Sequence, residues 1–538
     1  MLKKYYKIFP YLILALVVTT TYFIVEGYVT IKMMNLFDLA LNGEMQILKQ
    51  KAPQLLIFVT CLLPLEILVA LTNNYYKKKA NIKIKNYYIK SVFGKNIAEF
   101  QKENNAKYLS AVTNDFNTLE NNLINGVYEI CKGLVNIIVI LWMLSTLDFR
   151  IIILASIIII VNFSISKVTS RPLKKAYKER SDMFDRYTFY IKEILAAFHI
   201  IKNYNLQEKV TEDYNHKSEE IQQKGFIIEK LITYVYSIEN FFTNGSLYGI
   251  ICGIGYLAVL GLVTPGGILL VSESIQRLTL PLHALNENLP KLFTSNDLIH
   301  KLEKTLDNEN TYVEVNDLPE FRHEIEFQNV EFNYDNEEQP ILFDINLKVK
   351  KNEKYLIVGP SGGGKSTLLK LLRKYYQPNN GKILIDGHNL RDVKRDEYFK
   401  LIANIEQQVF IFEDTIRNNI TLYKKYTESE INEALEASGL SEFVTNLPNG
   451  LNTTIYDNGK NISGGEKSRI VIARALLNKA SILIMDEAFA SLDMERAKEI
   501  ERTILDLEDM TVINASHVIF KDTKELYDGI IKIKRTIY

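Results

Sequence analysis

Three short stretches in the second half of the chain have residue types and spacings suited to holding and cleaving a phosphate anhydride. "GPSGGGKST", residues 359–367, fits G-x-x-x-x-G-K-[ST], with Gly359, Gly364, Lys365 and Ser366 at the defining positions and Pro360, Ser361, Gly362, Gly363 and Thr367 completing the loop. Glycines let backbone N–H groups come close to an anion, the lysine reaches terminal phosphates, and the serine hydroxyl suits Mg²⁺. "SILIMDE", 481–487, is an apolar run ending in two acids. Asp486 is placed to hold Mg²⁺ through its water shell, and Glu487 to polarise an attacking water as general base. "NISGGEKS", 461–468, is a second, smaller nest in which Ser463, Gly464 and Gly465 open a helix. Two phosphate cradles in one domain raise the question of what the second one serves.

These residues need a sheet to carry them. From about residue 323 the chain alternates as strands do, in "IEFQNVEFNY" and "ILFDINLKVKKNEKYLIVG". The phosphate loop follows the strand-like "KYLIVG" and opens the helix-like "STLLKLLRKYY", the context the motif requires. The expected fold is an α/β P-loop NTPase domain over 321–538, joined by a linker at 301–320 to a region at 1–300.

The P-loop, the Ser-Gly-Gly nest and the acid-ending strand, in this order and spacing, resemble the ATP-binding cassette (ABC) family. The signature runs Ile462, Ser463, Gly464, Gly465, Glu466 where the family usually has Leu-Ser-Gly-Gly-Gln. The resemblance implies further roles. Tyr334 matches the aromatic that stacks on adenine. Gln407 in "ANIEQQVFIFEDTIRNNI" matches the glutamine that senses Mg²⁺ and water, with Gln408 as the register alternative. "ASLD", 490–493, matches the loop that crosses to the partner, with Asp493 as its acid. His517 in "INASHVIF" matches the switch histidine at the γ-phosphate, although the family's Thr-His-Arg is Ser-His-Val here. In "TTIYDNGKN", Tyr456 and Asp457 stand where exporter-type members have Gly-Glu, and Gly459 is kept. The resemblance also accounts for the two cradles. In this family two cassettes dock head to tail, so that the P-loop of one and the nest of the other enclose each ATP. One cassette per chain then implies a second half-transporter chain, either a copy of this one or a different one.

The 538 residues allow two or three domains, and equal totals of 64 basic and 64 acidic residues give no electrostatic footprint for nucleic acid. Long apolar runs at 9–35, about 53–74, 123–147, 149–169, 241–263 and 266–290 predict a membrane α-helical bundle of six transmembrane helices. The last is the weakest by hydropathy, since it carries Glu273, Arg277, His283 and Glu287. Basic segments at the N-terminus, 74–90 and 167–180 place both termini and the cassette in the cytoplasm. The stretches at about 75–120 and 170–225 have few turn residues, so they predict long cytoplasmic helix extensions rather than soluble insertions. Their tips are expected near 106–116 and 195–205. Glu26 and Glu66 lie inside apolar runs and need a cavity or a partner, as cargo lining or as paired structural acids. Cys61, Cys131 and Cys252 sit in apolar surroundings and suggest no disulfide framework. No cleavable signal peptide and no peptidase-like Cys/His domain is evident before the first run.

Six spans followed by one cassette resemble half-size ABC exporters of the cell membrane. That likeness implies ATP and Mg²⁺ as cofactors, the lipid bilayer as surroundings, and a peptide, lipid or amphipathic small molecule as cargo. Siderophore-type import on the same fold and a membrane-anchored regulatory ATPase are the competing readings. The Lys-, Asn-, Ile- and Tyr-rich composition suggests a bacterial source.

Overall fold

The computed structural model describes residues 8–103, 105–147, 149–308, 314–334, 340–517 and 519–533. The N-terminal basic stretch and part of the linker lie outside the described residues. The chain forms two compact units. One gathers the residues up to Lys95 with Glu103–Asp307; the other gathers Asn96–Lys102 with the residues from Asn308 onward.

The first unit is helical. Its main elements are α1 (Phe9–Leu41), α2 (Met45–Phe93), a helical run over 105–125 continuing into α4 (Gly126–Ser145), α5 (Phe149–Ala196), α7 (Gln207–Val259) and α8 (Pro265–Thr305); the short α3 (Ile97–Gln101) and α6 (Phe198–Asn203) join them. The six expected apolar runs all fall on these long helices. Among the described residues, α1, α2 and the run ending at Ser145 are long and apolar enough to cross a membrane by length and composition alone. In α5 and α7 the apolar part is shorter and continues into charged helix, and α8 carries Glu273, Arg277 and Glu287 along its length.

One sequence expectation is corrected. The first extension turns at 94–103, where α2 stops at the Gly94 C-cap and α3 follows, and not at 106–116. Residues 106–116 lie on the returning helix, in α-helical and π-helical turns. No Gly or Pro interrupts 106–116, and Ala111 and Phe116 are buried against Tyr88 of α2 and Leu302 of α8, which favours a packed helix over a turn. The second extension turns at α6, within the expected 195–205.

The helices bury apolar stripes on one another, with α4 packed on α1 and α8, and α5 on α7. Polar groups inside the unit find partners. Thr19 and Tyr128 share a buried hydrogen bond of 2.9 Å, and Arg277 on α8 reaches Glu26 on α1 at 3.1 Å and Glu273 at 2.8 Å. Asp38 near the end of α1 accepts from the Gly266 N–H at 2.7 Å and the Thr264 hydroxyl at 2.8 Å, satisfying the first turn of α8.

The second unit contains two sheets. An antiparallel sheet runs β2 (Leu342–Lys350), β1 (Glu324–Phe332), β4 (Asn380–Ile385), β5 (His388–Asn389). A parallel sheet runs β6 (Ile402–Ile405), β7 (Ile482–Asp486), β8 (Thr511–Ala515), β3 (Lys354–Val358), β9 (Gly529–Lys532). β7 and β8 are buried along their whole length, as apolar runs covered on both faces should be. Alternate residues point to opposite faces. Ile482 and Ile484 join the core beneath α9 (Lys365–Leu372), and Leu483 and Met485 join the core beneath α10 (Gly464–Leu477).

Candidate functional site

The C-terminal ends of β6, β7, β8 and β3 lie side by side, and each delivers at least one of the residues singled out above. This is the crevice at which parallel α/β sheets bind ligands. After β3 the chain turns through Gly359–Gly364 into α9. Gly362 and Gly364 have φ of +72° and +95°, a region that favours glycine. A Cβ on Gly364 would lie 2.8 Å from Leu342 Cδ2, and one on Gly359 would lie 2.5 Å from the Ile533 carbonyl oxygen. At Gly359 and Gly364 the loop therefore has room for backbone alone.

Lys365 is folded back over this loop, its ammonium donating to the carbonyls of Gly359 and Pro360, each at 3.0 Å. Burial pushes the Lys365 ammonium below its ordinary pKa, and Glu487 and Asp486 oppose the shift. The next residue, Ser366, donates from Oγ to Asp486 Oδ1 at 3.1 Å. Burial pushes the Asp486 carboxyl up, against the Ser366 hydrogen bond and the charge of Arg373. Arg373 is itself buried and donates to Asn404 Oδ1 and the Ile405 carbonyl, so it braces β6 beside the acid. Sequence reasoning missed it; the one signal was an arginine directly after the apolar pair Leu371–Leu372.

Glu487 follows β7 with φ of +51°, a sparsely populated conformation for a residue with a side chain. Its N–H donates to the Ala515 carbonyl at 2.9 Å, which holds the turn against β8. Its carboxylate receives the Gln407 side-chain N–H at 2.8 Å on Oε2 and lies 3.1 Å from His517 Nε2 on Oε1. The same His517 nitrogen is 3.1 Å from Lys365 Nζ. One ring nitrogen either accepts from the lysine or donates to the carboxylate, so the tautomer selects its partner. Lys365, Ser366, Gln407, Asp486, Glu487 and His517 thus form one connected polar cluster. It has cationic and neutral donors for phosphate oxygens and a carboxylate for a water.

Tyr334 stands beside this loop just after β1. It packs edge-on against Phe332 and Tyr376, with centroids 5.0 and 5.3 Å away, and its hydroxyl lies 3.4 Å from Thr367 Oγ1 and 3.3 Å from Lys370 Nζ. A planar shelf next to a phosphate loop suits a purine ring. Among the described residues no group of three or more His, Cys, Asp or Glu side chains is placed to hold a metal ion. A divalent ion here would rely on Ser366, Asp486 and phosphate oxygens, the usual habit of Mg²⁺.

The second nest is a helix cap. Ser463 Oγ accepts from the Glu466 N–H at 3.2 Å, and the Glu466 carboxylate accepts from the Ser463 N–H at 2.6 Å, a reciprocal capping box at the start of α10. Glutamate and glutamine both close such a box, which explains why the departure from Gln is tolerated structurally. A Cβ on Gly465 would lie 3.4 Å from the Ser491 carbonyl, so the nest sits against the "ASLD" turn. Asp493 caps α11 (Met494–Leu505) by accepting from the Arg496 N–H at 3.0 Å. In the loop before the nest, Tyr456 is exposed and Asp457 pairs with Lys460.

Comparison with known proteins agrees with this architecture. Residues 8–280 match the family described as ABC transporter transmembrane region, and residues 342–490 match the family described as ABC transporter. An ATP-dependent lipid A-core flippase of Syntrophus aciditrophicus (strain SB) is 29% identical over 433 residues, spanning 78% of this chain and 70% of the relative. YgaD of Bacillus subtilis (strain 168), named for multidrug export, is 29% identical over 418 residues, 76% of this chain and 71% of the relative. The solved structure of a bacterial Atm1-family ABC exporter with ATP bound superposes with a TM-score of 0.81, covering 97% of this chain and 94% of that one at 19% identity.

Proposed function

Because the chain belongs to the ABC transporter family, as a half-size member that couples ATP hydrolysis to transport across a membrane, we propose that it works as one half of a two-chain exporter. That exporter moves a peptide, lipid or amphipathic small molecule out of the cytoplasm by alternating access. The observation that carries this reading is the pairing of a connected P-loop cluster with a separate Ser463–Gly465 nest in a single cassette. Each nest would complete the nucleotide site of the facing chain. Both termini and the cassette lie on the cytoplasmic side in this proposal.

In this reading the loop from Gly359 to Thr367 holds the ATP phosphates and Tyr334 packs on the adenine. Ser366 and Asp486, with Gln407, would hold Mg²⁺, which would supply neutralisation of phosphate charge. Glu487, steadied by Gln407, orients and deprotonates the water, and His517 contacts the γ-phosphate. Nucleotide shared by two chains closes the cassettes, and its hydrolysis lets them part. Glu26, Glu273 and Arg277, charged groups paired with one another among apolar helix residues, are compatible with a cargo that has a charged or polar part. The names of the relatives, a lipid flippase and a multidrug exporter, agree with amphipathic cargo.

The test is the particle mass and ATPase rate of this chain alone in lipid nanodiscs, with Ser463→Arg beside it. The proposal expects a two-chain particle with Mg²⁺-dependent hydrolysis, or a silent chain that becomes active when a second half-transporter is supplied. In either active particle, Ser463→Arg on the chain facing the P-loop in use abolishes hydrolysis while a labelled ATP analogue still binds. Hydrolysis by a single chain, or unaffected hydrolysis in a particle where both nests carry the arginine, would overturn the shared site.

A further inference from the structure

A buried carboxylate in the cassette is absent from the site described so far. Glu501, on α11, is 2% exposed. Its Oε1 accepts from the Tyr527 hydroxyl at 2.7 Å and from Asn514 Nδ2 at 3.3 Å, and its Oε2 accepts from the Thr523 hydroxyl. Asn514 Nδ2 also donates to the Tyr527 hydroxyl at 2.7 Å. All four side chains are buried, and no basic side chain lies within ion-pair distance of Glu501 among the described residues.

The placement of the three donors is informative. Asn514 lies on β8 three residues before His517, and Thr523 lies six residues after it. Tyr527 leads into β9. One carboxylate therefore fastens both ends of the loop that carries His517. An outer layer repeats the link, since Lys498 of α11 pairs with Asp522 at 2.9 Å and lies 6.0 Å from the centre of the Phe520 ring. The other end of α11 is capped by Asp493, in the turn that borders the Ser463 nest.

Stability alone gives a poor account of this arrangement. A buried carboxylate is expensive to desolvate, and apolar residues of similar volume usually do as well or better. Asn514 Oδ1 is also buried with no hydrogen-bond partner among the described residues, a cost that an apolar residue in β8 would avoid. What the network does supply is directional fixing of the loop, because hydrogen bonds specify orientation where apolar contacts do not.

We propose that Glu501 is a positioning residue for ATP hydrolysis, tying the His517 loop at both ends to α11 so that the histidine is held against Glu487 and Lys365. Glu501 touches neither nucleotide nor water and acts through His517. The ring lies 3.1 Å from both partners, so a small drift of its loop breaks both contacts together.

The experiment uses the full chain in nanodiscs, in whichever particle hydrolyses ATP. Rates are counted per nucleotide site titrated with a fluorescent ATP analogue, so that misfolded protein does not enter. Glu501→Ala is expected to lower kcat about tenfold with KM for ATP changed less than about twofold. Glu501→Gln, which still accepts hydrogen bonds, is expected to recover most of that loss. In a His517→Ala background, followed by single turnover of radiolabelled ATP, Glu501→Ala is expected to cost less than about twofold more. Should Glu501→Ala fail to fold, Tyr527→Phe and Thr523→Val each remove one hydroxyl, and each should lower kcat about twofold to fivefold with KM held. Wild-type kcat in the folded variants would overturn the proposal, as would an equal Glu501→Ala loss with and without His517.

Discussion

Glu487 is the residue on which turnover should depend most. Glu487→Gln keeps the side-chain shape and the Gln407 contact but removes the proposed base. ATP analogue binding should stay within about twofold while hydrolysis falls about 10²–10⁴-fold, the usual contribution of a positioned base. Rapid turnover by that variant would remove Glu487 from the role. Glu466 offers a subtler case. Its carboxylate closes the capping box at a helix start that is proposed to receive phosphate, so its charge opposes the ligand that the nest attracts. Glu466→Gln keeps the box and removes the charge. KM for ATP should fall about twofold to fivefold, with a smaller effect at high salt; an unchanged KM at low salt would place Glu466 outside the field of the phosphate.

At the scale of elements, the turn from β3 to α9 and the pairing of α1 with α8 invite tests of different kinds. Gly364→Ala puts a Cβ at φ +95° and 2.8 Å from Leu342. The strain of about 1–3 kcal/mol should reshape the loop, so ATP analogue binding should weaken at least tenfold; retained affinity would show that the turn yields. Arg277→Gln leaves Glu26 and Glu273 without their cation. Thermal stability in detergent should drop by about 1–3 kcal/mol, less than for a fully buried pair because the side chains of Arg277 and Glu26 are about a quarter exposed, and adding Glu26→Gln should restore much of it. A drop that Glu26→Gln deepens would contradict the pairing.

These two elements also show what could be foreseen from the sequence. The cassette could be read because its chemistry is local. A strand followed by GPSGGGKST, or by two acids, carries its own geometry within ten residues, and four such ends meet by sheet order alone. The partner of Glu26 could not be read, since Arg277 lies 251 positions away and only helix packing brings the two together. The first tip was misplaced for a similar reason. The run 75–120 offers one glycine, Gly94, and the tertiary packing of Ala111 and Phe116 decides which side of it stays helical. Glu501 was passed over because a lone glutamate on an amphipathic helix looks like a solvated one until the strand and loop beside it are in place.

At the scale of the whole molecule, Asn96–Lys102 gathers with the cassette although its neighbours on both sides gather with the helices. Tyr376 donates to Gln101 at 3.1 Å within that unit. The compact unit that holds the nucleotide-site residues is therefore discontinuous in sequence. A fragment begun at residue 308 would lack seven residues of its own compact unit and leave Tyr376 without its Gln101 acceptor. A single protease cut in the linker would sever one of three crossings and leave two. Dissection of this protein therefore calls for two fragments side by side, one begun at residue 308 and one with 96–102 grafted back onto it.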